Sequence, residues 1–226
     1  MDNIKRVSLL LPFVAGFCDA STYIAADKLF SAHVTGNFIV LASDIVGGAD
    51  KNEWAKLLSF PVFVGAVLAA GLLYRKEGYT YRLLVIEGGL LLMAGMLAAG
   101  LLPAGVLSAA VLPGSIAKML VVAAMGIQNA FGQLYSKAAY GTTTTMTGNV
   151  TGAVLAFVPG WLRVPGDVES AVRFKQIVIM ILAFLLGCIA GATLSHRWGL
   201  MVVALPGAMV TAYFFRRRVR EAKKMD

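Results

Sequence analysis

The sequence predicts an all-α integral membrane protein made of two inverted repeats, each with about three full transmembrane helices and one broken half-helix that carries a Thr-Gly-Asn motif. Hydrophobic residues make up 58% of the 226-residue chain and charged residues 14%, against about 25% charged in soluble domains. Thr-Gly-Asn occurs twice, at 35–37 and 147–149. We therefore expect a single membrane domain over residues 1–226, with repeat one at 1–110 and repeat two at 111–226.

Further landmarks occur in the same order in both halves. Gly65 is followed ten residues later by Arg75, and Gly187 is followed ten residues later by Arg197. Each Thr-Gly-Asn is preceded by an apolar segment with a polar residue in its middle, Gly16-Phe17-Cys18-Asp19-Ala20 in the first half and Gly126-Ile127-Gln128-Asn129-Ala130 in the second. Three matched landmarks in one order indicate an internal duplication.

The two Thr-Gly-Asn segments, 30–46 and 141–158, are too short to be ordinary spans. The continuous apolar run Phe38–Ala42 is far below the ~20 residues that a full span needs. We predict that each segment enters the membrane as irregular chain and leaves as a half-helix on the same side. Six full spans accompany them, at residues 7–26, 57–74, 83–102, 115–136, 175–195 and 199–215. Eight simple spans are the alternative, and the distribution of basic residues does not decide between the two.

Basic residues predict the orientation of the chain. The net charge is +8, and six of the twenty basic residues follow Phe215: Arg216, Arg217, Arg218, Arg220, Lys223 and Lys224. A basic flank on a last membrane helix indicates a cytoplasmic tail, and the topology then places both termini in the cytoplasm. The bilayer is the expected partner, with an anionic-lipid patch as the secondary interpretation of the tail. This placement argues against a nucleic-acid partner.

The sequence shows none of the patterns of a metal site or a common catalytic site. Its two cysteines, Cys18 and Cys188, lie far apart in apolar segments, and no Gly-rich nucleotide loop, GxSxG or HExxH is present. We expect no enzyme activity, no metal and no cofactor. Gly187 and Gly191 form a Gly-x-x-x-Gly pattern that packs helices closely, either within one chain or in a homodimer.

The two half-helices predict a binding site. A helix that begins near Gly36 directs its free N–H groups into the membrane, and the inverted partner near Gly148 does so from the other side. Two such ends that meet near the midplane suit an anion or a polar neutral group. In the other interpretation, Thr35 and Thr147 are ordinary N-caps and the asparagines pack. The candidate substrate-binding residues are Thr35, Gly36, Asn37, Thr147, Gly148, Asn149, Gln128 and Asn129.

Three ionisable residues lie in or beside predicted spans. Asp19 aligns with the neutral Asn129, so the duplicated frame holds one acidic group there, which suits proton coupling. A structural aspartic acid bonded to Asn129, or one that reaches the surface, is the alternative. His33 would relay or gate protons, or serve structure alone. Glu87 lies about one turn into its span, where we expect it to snorkel or to pair with Arg82.

The two matched apolar segments, together with Phe30–Asn37 and Thr144–Asn149, resemble the YoaK-like family of bacterial multi-spanning membrane proteins, a domain of unknown function. The resemblance runs over nearly the whole chain. It implies a bacterial inner-membrane protein with about six spans, and it supplies neither a substrate nor an active-site residue. The broken segments also look like the crossed half-helices of anion and nucleobase transporters, which is a likeness of architecture alone.

These observations favour a small secondary transporter or facilitator of a small anionic or polar solute across the bacterial inner membrane. Its site would lie between the Thr-Gly-Asn half-helices near the midplane, with proton coupling through Asp19 and His33. Thr35 and Thr147 should then come close together. A non-transporting structural or partner-binding membrane protein is the alternative. A polar cavity around Thr35, Thr147 and Asp19 would favour transport, and a solid apolar core there would favour the alternative.

Overall fold

The computed structural model describes residues 2–48, 54–74, 80–101, 113–134, 147–148, 150–152, 154–155 and 168–222, and within these it contains helices and turns but no strand. The prediction of an all-α protein is confirmed for this part of the chain. Residues 147–148, 150–152 and 154–155 are helical, and a 3-10 turn, Gly199–Val203, joins the last two long helices. The long helices are α1 Asp2–Ala25, α2 Gly36–Val46, α3 Trp54–Tyr74, α4 Thr80–Ala98, α5 Pro113–Leu134, α6 Val168–Trp198 and α7 Ala204–Ala222.

Three helical stretches are long and apolar enough to cross a membrane: Trp54–Tyr74, Gly114–Leu134 and Phe174–Phe215. The third stretch has 42 residues and includes the 3-10 turn. Large apolar side chains on α3 are left exposed, for example Leu68 at 63% and Leu72 at 67%. An apolar surface of this kind suits lipid and is unfavourable in water, so the helices are compatible with a membrane protein.

Helices α1 and α6 pack with their backbones in contact, because glycines of α6 lie on α1. A Cβ atom at Gly187 would lie 3.0 Å from the Phe17 nitrogen and against the Phe13 carbonyl, and one at Gly191 would lie 2.9 Å from the Phe17 Cα. Gly187 is thus level with Phe13 and Gly191 with Phe17, so α1 and α6 run parallel. The Gly-x-x-x-Gly pattern is used inside the chain.

A second close contact joins α3 and α5. A Cβ atom at Gly126 would lie 3.0 Å from the Phe63 carbonyl oxygen and 2.9 Å from the Ala66 Cβ. Gly16, the matching glycine of α1, meets α6 in the same way, since its Cβ would lie 3.1 Å from the Cys188 nitrogen and against the Phe184 carbonyl. The glycine of each matched segment therefore permits a backbone contact with a neighbouring helix.

The α3–α5 pair also runs parallel. Phe63 belongs to an apolar cluster that contains Val122, whereas Ala70, two turns further along α3, clusters with Ile127 and Ala130 of α5. Residues nearer the C-terminal end of α3 therefore contact residues nearer the C-terminal end of α5.

Helices α4 and α7 run antiparallel. A Cβ atom at Gly88 would lie 2.9 Å from the Thr211 nitrogen, and one at Gly95 would lie 2.7 Å from the Ala204 nitrogen. The contacts on α7 therefore move toward its start as those on α4 move toward its end. Absence of side chains at both glycines lets the two helix backbones approach closely.

Helices α1 and α5 are antiparallel as well. The Lys118 ammonium donates to the Asp27 carboxylate at 2.9 Å, just beyond the end of α1, and the Gln128 amide donates to the Leu11 carbonyl at 2.9 Å, near the middle of α1. The main apolar core lies where α1, α4, α5 and α7 meet, and its largest fully buried side chains are Leu11, Leu84, Leu91, Met125, Phe131 and Phe214.

Candidate functional site

The site begins where the chain leaves α1 and turns back. Asp27 and Lys28 have φ values of 57° and 58°, in the left-handed region that non-glycine residues rarely occupy. This turn returns the chain along the end of α1 before α2 begins at Gly36. The returning segment, residues 29–34, is mostly buried, so its polar groups need partners inside the protein.

Asp19 supplies those partners. One carboxylate oxygen accepts the Ala32 N–H at 2.6 Å and the Ser31 hydroxyl at 3.3 Å, and the other pairs with Nδ1 of His33. The side chain is only 6% exposed. Three donors thus converge on one carboxylate, which stabilises a charge that would be costly in an apolar surrounding. Among the described residues Asp19 bonds to Ser31, Ala32 and His33 of the loop that follows α1, and not to Asn129, which was one of the alternatives for it.

His33 connects this carboxylate to the protein surface. Its side chain is 36% exposed, far more than that of Asp19. The ring packs edge-on against Phe184 of α6, with 5.7 Å between ring centroids. The imidazole therefore contacts Asp19 through Nδ1 and is partly exposed at the surface.

The exposed side of His33 faces a groove of about 590 Å³ between α1 and α6. Apolar side chains dominate its wall, which also contains the carboxylate of Asp19, the imidazole of His33, the phenol of Tyr23 and the thiol of Cys188. A groove with mostly apolar walls and a few convergent polar groups is the usual form of a small-molecule site. Its lining residues are Asp19, Ala20, Tyr23, Ile24, Phe30, His33, Phe184, Cys188, Ile189 and Ala192.

Asn37 of the first Thr-Gly-Asn fixes the loop rather than facing the groove. It is fully buried, its amide oxygen accepts the Phe30 N–H at 2.7 Å, and its amide nitrogen donates to the Phe30 carbonyl and the Ser59 hydroxyl, each at 2.8 Å. Ser59 in turn donates to the Lys56 carbonyl at 2.6 Å. A Cβ atom at Gly36 would lie 3.1 Å from the Phe30 ring. The motif therefore locks the start of α2 to the loop and to α3.

The predicted free N–H groups at the start of α2 are not free. Gly36 donates to the His33 carbonyl at 2.8 Å, Asn37 to Val34 at 3.2 Å and Phe38 to Thr35 at 3.3 Å. These tight-turn bonds occupy the donors that an anion would need. The Thr35 side chain also makes no cap bond to the first turn of α2, all of which the structure describes, so Thr35 is not an N-cap of the usual kind.

The second Thr-Gly-Asn is described at its first two residues, Thr147 and Gly148. Thr147 and Gly148 are helical and exposed, and the Thr147 carbonyl accepts the Thr151 hydroxyl at 3.1 Å. Asn149 lies outside the described residues. The predicted meeting of the two motifs stays a prediction.

The remaining candidates on α5 lie in the core. Gln128 is fully buried and donates to the Leu11 carbonyl at 2.9 Å, next to Pro12 in α1. Asn129, the repeat mate of Asp19, is partly buried. Gln128 therefore serves the α1–α5 contact, and the structure groups neither residue with Asp19 and His33.

The environment of Glu87 differs from the predicted one. Glu87 is fully buried, and both of its carboxyl oxygens lack a hydrogen-bond partner within the described part of the chain. The expected snorkelling or pairing with Arg82 is wrong, because Glu87 shares a helix face with Leu84 and Leu91, which pack into the core. That spacing of three and four residues was the signal in the sequence that could have placed Glu87 inside.

Sequence reasoning also missed a tie between α2 and α3. The Lys56 ammonium pairs with the Asp44 carboxylate, and the Lys56 side chain is only 4% exposed. Together with the Asn37–Ser59 bond, this pair fastens α2 to α3 at two levels. The signal was available, since Lys56 and Ser59 lie three residues apart on one face of an apolar helix.

Comparison with known proteins gives a family but no function. No curated protein matches this chain, and no solved structure matches it. A family of proteins of unknown function, DUF1275, matches residues 7–215. The match covers every helix that builds the site, and the chain belongs to the DUF1275 family.

Proposed function

We propose that this protein is a small secondary transporter or facilitator that moves a small anionic or polar solute across a bacterial inner membrane. The observation that carries the proposal is the Asp19–His33 pair in the wall of the groove between α1 and α6. An ionisable pair inside a membrane protein is usually functional, because its burial has a cost that packing alone does not require. The resemblance to YoaK-like proteins agrees with this location and stays a prediction.

The pair suits recognition of a small solute. His33 presents an imidazole edge to the groove, while Asp19 holds the opposite nitrogen through its buried carboxylate. A protonated ring would bind an anionic group, and a neutral ring would bond a polar one. Solute binding and proton uptake would then affect each other, because both act on the same imidazole, and Asp19 contacts that ring directly.

We infer that the two halves are inverted repeats with α2 as a half-span. Six full spans plus two half-spans require α4 and α7 to be antiparallel and α1 and α5 to be antiparallel, whereas eight simple spans require both pairs to be parallel. The glycine contacts of α4 with α7 and the bonds from α5 to α1 support the first arrangement. The length of α2, 11 residues or about 16 Å, is half of a ~30 Å hydrocarbon core.

The inferred topology is tested by cysteine labelling. With both termini in the cytoplasm, residue 50 lies outside and residue 78 inside. In a variant without Cys18 and Cys188, a single cysteine at position 50 should react with an impermeant maleimide in intact cells, and one at position 78 should react only after permeabilisation. Reaction at position 50 only after permeabilisation would rule out this orientation.

The meeting of the two Thr-Gly-Asn segments is tested separately. Cysteines placed at Thr35 and Thr147 in the same background should form a cross-link with a short bifunctional reagent if the segments face each other near the midplane. Cysteines at Thr35 and Thr193, a threonine exposed on α6, serve as the control pair. If the Thr35–Thr193 pair forms a cross-link and the Thr35–Thr147 pair does not, the second Thr-Gly-Asn lies away from Thr35, and the groove beside His33 remains the candidate site.

A non-transporting structural or partner-binding protein is the second candidate, and one observation favours it. Asn37 satisfies its hydrogen-bonding groups within the protein, so the first Thr-Gly-Asn stabilises the fold without a ligand. A structural protein would use its polar residues in this way throughout. The groove beside His33 separates the two candidates, because a structural role gives no reason for a solute to bind there.

The deciding experiment is a thermal-shift screen of purified protein against small anions, amides and nucleobases, since a ligand of the folded state raises the melting temperature. A solute that stabilises wild type but not His33→Ala should then enter vesicles that contain the protein. Asp19→Asn should fold and lose the pH dependence of this binding. Absence of any stabilising solute, together with vesicles no more permeable than lipid alone, would favour the structural role.

A further inference from the structure

The groove beside His33 lies in an apolar outer surface of the protein. Ile24 of α1 and Ile189 of α6 both line it, and they are 46% and 55% exposed. Leu185 and Leu186, in the adjoining turn of α6, are exposed as well. In a bilayer such side chains contact acyl chains, so the groove opens toward lipid.

The inside of the groove suits a compact apolar body. Its exposed surface is almost entirely apolar, and the small side chains of Ala20 and Ala192 leave room between α1 and α6. The rings of Tyr23 and Phe30, with 5.1 Å between their centroids, form part of its wall. On α6 the wall runs from Phe184 to Ala192, eight residues or about 12 Å.

The polar groups at the groove favour an acid over an amine. The Asp19 side chain is buried, and its oxygens already meet donors from Ser31, Ala32 and His33, so an ammonium group would find no accessible carboxyl there. The His33 side chain is partly exposed. A weak acid matches an imidazole in either state, because it donates to the neutral ring when protonated and accepts from the charged ring when ionised.

We propose that the solute of this groove is an amphipathic weak acid, with its acidic end at His33 and its apolar body along the wall of α6. The inference names the solute class of the proposed transport site and rests on that proposal, although binding itself requires no transport. Burial of each CH₂ group raises affinity about fourfold. The affinity should therefore rise with chain length and level off once the body exceeds the wall of α6.

Equilibrium binding of labelled hexanoate to the purified protein in lipid vesicles tests this class of solute. Protein-free vesicles of the same lipid give the uptake by the bilayer, which is subtracted. At equal free concentration octanoate should displace the label about 15-fold better than hexanoate, since it has two more CH₂ groups. Acetate and hexylamine should displace it poorly. Absence of saturable binding, or displacement by acetate or hexylamine as strong as that by hexanoate, overturns the proposal.

Variants that fill the groove locate the bound acid. Ala192→Leu adds bulk to the wall and should weaken hexanoate binding about tenfold or more, because the added atoms occupy space that the ligand needs. Ala69→Leu is the matched control, since Ala69 is an exposed alanine on α3 outside the groove, and it should bind as wild type does.

Ile189→Trp guards against loss of folding, because Ile189 is exposed at the rim of the groove and a larger side chain there does not enter the core. Wild-type affinity in the variants that keep the helix content and melting temperature of wild type overturns the proposed location. Hexanoate binding without hexanoate flux into the vesicles would support the solute class and remove the transport function. Flux of another solute without hexanoate binding would do the reverse.

Discussion

Replacement of Asp19 tests how strongly the loop after α1 depends on one carboxylate. Asp19→Ala leaves the Ala32 N–H, the Ser31 hydroxyl and His33 without their acceptor in a buried place. Leaving a buried donor unsatisfied typically costs about 1–3 kcal/mol, so the loss of the acceptor for Ala32 and Ser31 should cost about 4 kcal/mol. Asp19→Asn keeps an acceptor for Ala32 and loses the charge. Since charged bonds contribute about 1.5–3 kcal/mol and neutral ones about 0.5–1.5, weakening two of them should cost about 2–3 kcal/mol.

Thermal unfolding in detergent measures this series. Each kcal/mol lowers the melting temperature by about 2–4 °C for chains of this size, so wild type, Asp19→Asn and Asp19→Ala should melt in descending order. Ser31→Ala is the control, because it removes only the longest of the three contacts, at 3.3 Å, and should cost less than about 1 kcal/mol. If Asp19→Ala and wild type have the same melting temperature, the carboxylate does not hold the loop in place.

Three further predictions concern packing and polar ties. Asn37→Ala removes three hydrogen bonds and should cost about 2–4 kcal/mol in unfolding free energy, against about 1 for Ser59→Ala, as measured by thermal melting; equal losses would contradict the central role of the amide. Gly187→Ala should lower the unfolding free energy by about 1–3 kcal/mol or more, because its new Cβ would meet the backbone of α1. Gly71→Ala should be neutral or stabilising, because a Cβ at Gly71 would have nothing within 4 Å. Lys118→Met should change stability by less than about 1 kcal/mol, because its partner carboxylate is 74% exposed.

Much of the fold could be predicted from the sequence, because apolar length and repeated landmarks depend on local composition. Local sequence patterns alone predict the helical class, the short helix that begins at Gly36, and the close packing by Gly187 and Gly191. The Gly16 and Gly126 match indicated a duplication, and both glycines do meet a neighbouring backbone. What the sequence could not tell is which helices these glycines would meet.

The site was harder to predict, because it depends on a reversal of the chain. Asp19 and His33 were singled out separately, and only the left-handed turn at Asp27 and Lys28 brings them together. A turn made by two non-glycine residues carries no clear sequence signal. The same turn uses the N–H groups at the start of α2, so the predicted anion cradle gives way to a groove beside His33.

The two buried acids show why position in a membrane segment does not by itself define a role. Asp19 lies near the end of a helix, where the returning chain can bring an N–H group, a hydroxyl and an imidazole to it. Glu87 lies within α4 on the same face as Leu84 and Leu91, and its carboxyl oxygens have no hydrogen-bond partner in the described part of the chain. The first carboxyl therefore belongs to a polar network at the groove, whereas the second lies in the apolar core. Asp19 is therefore the acid that the proposed binding site can use, because its network includes His33, whose side chain is exposed in the groove.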